Sequence, residues 1–149
     1  MSTEPRIRHS KKFESLFALL IDTHHIFESK AQVLLFAAAV GFNEKRRKSI
    51  SNKDSYDPIR MATFENLGPV FKEVLFSITL ADKEDTSILL DSNADERILI
   101  FEEYASAGLE KIQDVVSQST SPLDAIICFI MNQRANDSTQ DDDIMTYIL

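Results

Sequence analysis

A chain of 149 residues suits one domain, which at this size buries roughly two-thirds of the unfolded surface. Apolar residues make up 44%, which excludes wholesale disorder, and three Gly with four Pro give too few turn signals for a many-stranded β protein. The net charge of −8 is uneven: residues 1–60 carry eleven Lys or Arg against seven Asp or Glu and residues 61–149 five against seventeen, which excludes nucleic-acid binding over the whole surface but not a local basic patch.

Ser10 is expected to cap a first helix that runs to about Asp22, with Phe13, Leu16, Phe17, Leu20 and Ile21 on one face. After a connection through His24, His25 and Ile26, Ser29 and Gln32 have the spacing of a capping box. The helix they open is apolar around nearly its whole circumference from Val33 to Val40 and is expected to stop at Gly41. Residues 43–58 combine Lys45, Arg46, Arg47 and Lys48 with Ser, Asn, Asp and Pro58, which predicts an exposed basic loop. A third helix has Pro69 in its first turn and Phe71, Val74, Leu75, Ile78 and Ala81 on one stripe, and Ser87 to Leu90 adds a turn or two.

Asn93 and Glu96 open the clearest helix, about 25 residues long, through Ile98, Phe101, Ala105, Leu109, Ile112, Val115 and Val116. Gly108 lies on that stripe at a cost of up to about 1 kcal/mol against Ala, so close approach of another helix is the expected compensation. Ser121 and Pro122 begin a final helix holding Leu123, Ile126, Ile127 and Ile130 and ending near Gln133. Arg134 to Asp143 is polar and acidic without periodicity, and Ile144, Met145, Tyr147, Ile148 and Leu149 follow it. The expected architecture is all-α: a compact single-domain bundle of about five to six helices over 1–133, with an exposed basic loop, and a flexible acidic C-terminal tail with an apolar tip over 134–149.

Candidate chemistry is sparse. Cys128 is the sole cysteine and lies in the apolar run from Ala125 to Ile130, so no disulfide or cysteine cluster can form within the chain, and apolar neighbours would raise rather than lower its thiol pKa. His24 and His25 are adjacent, so on a helix their side chains diverge by about 100° and suit one metal ion poorly. Asp95, Glu96, Glu102, Glu103, Glu110 and Asp114 read as a solvated face of the long helix, and Gly41, Gly68 and Gly108 cannot assemble a glycine-rich phosphate cradle. No catalytic residue, metal or cofactor is expected, and no run approaches the roughly 20 apolar residues that span a bilayer, so a cytoplasmic, non-enzymatic protein is expected.

Two surfaces stand out. Lys45, Arg46, Arg47 and Lys48, with Arg6, Arg8, Lys11, Lys12, Lys53 and Arg60 as an extension, are candidates for contact with DNA phosphates or with an acidic protein. Ile144, Met145, Tyr147, Ile148 and Leu149 are candidates for docking on a partner, because exposed apolar side chains invite association.

Three stretches carry a family resemblance: VLLFAAAVGF from Val33 to Phe42, PIRMATF from Pro58 to Phe64 and DERILIFEEYASAGL from Asp95 to Leu109. Together they resemble a small bacterial family, DNA phosphorothioation (dnd) system-associated protein 4, over about residues 5–131, with the acidic tail outside the similarity. Phe101, Glu102, Glu103, Tyr104, Gly108 and Leu109 are its most specific part. Such proteins are encoded beside systems that place sulfur in the DNA backbone or restrict DNA lacking it. The resemblance therefore implies a non-enzymatic accessory in anti-phage defence, bound to a larger subunit of a modification or restriction complex, with a DNA-binding regulator as the alternative. It transfers no catalytic residues, and it leaves the oligomeric state open.

Overall fold

The computed structural model describes residues 4–148, and side chains over residues 4–136. Among these residues there are six α-helices and one two-stranded sheet, so the fold is all-α as expected. The chain divides into two units, Met1–Lys111 and Ile112–Leu149, and the division falls within one helix.

In the first unit, β1 (Arg6–Ile7) pairs antiparallel with β2 (Ile59–Arg60), Arg6 opposite Arg60 and Ile7 opposite Ile59. Below it Tyr56 donates its backbone N–H to His9 O at 3.2 Å and Lys11 its own to Asp54 O at 2.8 Å, which fastens the N-terminal segment to the loop. Two-residue strands are too short to show alternation, so nothing in the sequence announced them.

The first helix is composite. A 3-10 turn (Lys11–Phe13), α1 (Glu14–Phe17) and a π turn (Ala18–Thr23) follow one another, and Ser10 Oγ accepts the Lys12 N–H at 3.5 Å. Phe13, Leu16, Phe17 and Leu20 are buried as their spacing requires. Before α2 (Lys30–Asn43), Ser29 Oγ accepts the Gln32 N–H at 3.3 Å; Gln32 Oε1 accepts from Glu28 N at 2.8 Å, one residue earlier than a standard capping box.

α2 does not stop at Gly41. A Cβ at Gly41 would lie 1.9 Å from Tyr104 O, and one at Gly108 would lie 1.7 Å from Ala37 O. The two glycines let the backbones of α2 and α5 (Ala94–Ser117) touch, which is the close approach expected from Gly108. A helix-ending glycine and a helix-crossing glycine look alike in one sequence, and here Gly41 is the second kind.

α3 (Met61–Glu65) and α4 (Pro69–Lys83) come next, joined by Gly68 at φ 101° with Pro69 at N1, and α4 ends on Glu84 in the left-handed region at φ 55°. Phe64, Phe71 and Phe101 form a buried triad with ring centroids 5.1 to 5.9 Å apart. Edge-on and tilted pairs of this kind add about 0.5–1.5 kcal/mol each beyond the area they bury. The side-chain amide of Asn93, just before α5, donates to Ser87 O at 2.6 Å, across two 3-10 turns (Thr86–Leu89 and Asp91–Asn93).

In the second unit Ile112 and Val116 are buried, and α6 (Pro122–Ile148) begins with Ser121 Oγ accepting the Asp124 N–H at 3.4 Å. Of the apolar residues expected on its stripe only Ile126 is buried; Leu123, Ile127 and Ile130 are exposed, with Met131. The helix also runs past Gln133. Its polar continuation lacks an apolar stripe, which predicts an end there, but no Gly or Pro follows Pro122 to break it. The apolar tip, Ile144, Met145, Tyr147, Ile148 and Leu149, lies outside the residues whose side chains are described.

Candidate functional site

Glu102, Ser106 and Glu110 recur every four residues along α5 and share one face, with Glu103 beside them. The basic loop folds back onto it. Lys45 takes a left-handed conformation at φ 57°, donating its N–H to Phe42 O at 3.0 Å, and Arg46 N–H reaches Gly41 O at 3.1 Å, so the chain reverses directly after α2. Lys48 N–H then donates to Glu103 O at 3.0 Å, setting the run against α5.

Three of the four cations are ion-paired there. Arg46 reaches Glu110 at 3.4 Å, Arg47 bridges Glu103 at 3.2 Å and Asp82 at 2.9 Å, and Lys48 meets Glu110. Lys12 donates to the same Glu110 oxygen as Lys48, at 3.0 Å. The hydrogen bond from Lys48 holds the Glu110 carboxyl below its ordinary range. Arg8 donates to Glu102 at 2.8 Å and to Asn52 Oδ1 at 2.8 Å; burial nevertheless pushes the Glu102 carboxyl upward, with Arg8 opposing.

Tyr104 closes the arrangement. Its hydroxyl donates to Asp82 Oδ1 at 2.6 Å, its ring meets Phe42 edge-on at 5.5 Å, and the Arg47 guanidinium lies 5.7 Å from its centroid. Burial and the Asp82 carboxylate push the phenol up to about 12.

Asp95 and Asp114 are exposed as expected, but Glu102, Glu103 and Glu110 are not the solvated face their composition predicts. Glu102 is 4% exposed, and Glu103 and Glu110 lie under the arms of their partners. Sequence reasoning placed the basic run, and Arg8 and Lys12 with it, but missed that its counter-ions lie on the same chain. The available signal was the opposite charge of the two halves, which a fold can satisfy internally. The six motif residues all have structural work: Phe101 in the aromatic triad, Glu102 and Glu103 as counter-ions, Tyr104 on Asp82, Gly108 at the α2 contact, and Leu109 buried.

Elsewhere, Cys128 is exposed despite its apolar neighbours in sequence, because it lies on the open side of α6. His24 and His25 are exposed, and among the described residues no group of three or more His, Cys, Asp or Glu could hold a metal ion. Among those residues, too, no helix is long and apolar enough to cross a membrane.

No curated protein and no solved structure matches the chain. A family profile, DNA sulphur modification system-associated protein 4, matches residues 6–147, which extends the similarity beyond residue 131 and takes in the acidic segment that the resemblance had left outside. With nearly the whole length covered, the chain belongs to the family of DNA sulphur modification system-associated protein 4.

Proposed function

We propose that this protein is a non-enzymatic accessory subunit of a DNA sulphur-modification system, acting in the cytoplasm through contacts with a larger subunit of the modification machinery or of the restriction step that defends against phage. The observation that carries this reading is the outer stripe of α6. Leu123, Ile127, Ile130 and Met131 follow one another at helical spacings of four, three and one, and all are exposed. A row of exposed aliphatic side chains on one helix face is how a helix presents itself to a groove on a partner.

Two further features favour it. Glu102, Glu103 and Glu110, which could otherwise serve acid-base chemistry, are each engaged by Arg or Lys. The basic run, on which a direct DNA-binding regulator would depend, spends Arg46, Arg47 and Lys48 on the same carboxylates. Ile144, Met145, Tyr147, Ile148 and Leu149, further along the sequence, are candidates for the same partner contact.

Co-expression with the other proteins of the modification system, followed by affinity purification, tests the reading. The double substitution Ile127→Glu with Ile130→Glu should abolish co-purification and leave the melting temperature unchanged, because both side chains are already exposed. Undiminished co-purification by that variant would reject the α6 surface.

A further inference from the structure

A cavity of about 380 Å³ opens between the N-terminal turn, the basic loop and α5. Its chemistry differs from that of the α6 stripe and does not depend on it. Lys11, Lys12 and Lys48 line it, as do Ser10, Ser49 and Ser106, so ammonium and hydroxyl groups converge from three separate stretches of chain.

The charge around it does not balance. Glu110 is a single carboxylate that receives Lys12, Lys48 and Arg46, and Asp54, the acidic residue of the lining, already accepts from Ser51 Oγ at 2.9 Å. Lys11 adds a fourth cation, its ammonium 6.0 Å from the centroid of the Tyr56 ring. Four cations against two carboxylates leave the rim with an excess of two positive charges. Ser106, 4% exposed, lines the cavity from α5 and brings a third stretch of chain to it.

We propose that this cavity binds a phosphate group. Lys11, Lys12 and Lys48 supply the charge, and the hydroxyls of Ser49 and Ser106 donate to its oxygens. A tetrahedral anion with several acceptor oxygens suits donors that arrive from different directions, and lysines serve it as point charges. A planar carboxylate would call for the arginine fork that this lining lacks. The cavity lies at the small end of the range for ligand pockets, with room for the sugar or alkyl carbon that carries the phosphate. That phosphate comes either from a DNA backbone or from a small phosphorylated molecule.

The test titrates the full chain with inorganic phosphate and follows backbone amide resonances. Saturable shifts are expected at Lys12, Lys48 and Ser106, and Lys11→Gln and Ser106→Ala should each weaken binding about fivefold or more, as loss of one charge-assisted contact does. Lys53→Gln removes a nearby lysine from outside the lining and should leave affinity unchanged. Should Ser106→Ala lower the melting temperature, the exposed Lys11 carries the comparison alone. Displacement of phosphate by a short DNA duplex would assign the site to backbone phosphates, and displacement by a nucleoside monophosphate but not by the duplex would assign it to a small ligand. Absence of saturable binding, or equal weakening by Lys53→Gln and Lys11→Gln, would overturn the proposal.

Discussion

Gly108 and Tyr104 stand one turn apart on α5 and fail in opposite ways when replaced. At Gly108 a methyl group would enter the α2 backbone, so Gly108→Ala is expected to destabilise by about 3 kcal/mol or more in urea unfolding, at or above the upper end for overpacked sites, and Gly41→Ala should behave alike. At Tyr104 the loss is of contacts. Tyr104→Ala should cost about 3–5 kcal/mol, the range for truncating a large buried ring, while Tyr104→Phe removes only the bond to Asp82 and should cost about 1 kcal/mol. An absorbance titration should find one tyrosine ionising near 12, and Tyr104→Phe should remove that step. Gly108 was legible because a glycine inside a long apolar stripe asks for a reason. The role of Tyr104 was not, because Asp82 lies on another helix and no local spacing joins the two.

At the level of elements, the loop from Lys45 to Lys48 behaves as a strap on α5. Changing all four residues to Glu would set three new carboxylates against Glu103, Glu110 and Asp82. Each pair lost is worth little at a surface, roughly 0.2–1 kcal/mol, but replacing attraction by repulsion across the set should destabilise by about 2 kcal/mol, and 1 M salt should shrink the difference. Thermal melts at two salt concentrations check this; an unchanged melting temperature would mean that the loop is not held. Loss of DNA retention in such a variant would accordingly say nothing about phosphate contact unless its fold were verified. α4 and α5 were readable because each carries enough turns to show a period, and α2 because Ser29 and Gln32 open an uninterrupted apolar run. β1, β2 and α3 have two to five residues and show none, and the polar end of α6 has length without an apolar stripe.

For the whole molecule, pH is the readable variable. His9 is 1% exposed, neither ring nitrogen has a hydrogen-bond partner among the described residues, and burial followed by the Lys30 charge holds its pKa below 6.5. The unfolded chain therefore takes up this proton first as pH falls, so stability should drop as pH falls through about 6.5, and His9→Leu should flatten that part of the curve. Below pH 5 two carboxylates act in opposite directions. Glu110 titrates lower in the fold than in the unfolded chain, so its contribution is lost as pH falls; Glu102 titrates higher, so its protonation relieves a cost. Glu110→Gln should remove part of the acid loss, and Glu102→Gln should steepen it, both measured as melting temperature against pH. Composition reports totals, and so it showed at this scale that the two halves of the chain differ in charge. It could not show that the positive and negative halves meet, since that depends on the fold.

Glu110 has a consequence for how the sequence can drift. Three cations, from the N-terminal turn and the loop, converge on this one side chain. Any one of Lys12, Arg46 and Lys48 can be exchanged for a neutral residue and the acid stays matched, so each of the three positions should accept variation singly where folding alone is concerned. The acid itself has no such redundancy. Its loss leaves three like charges crowded together and loosens two segments at once, so saturation mutagenesis scored on folding should find position 110 narrow and its three partners broad.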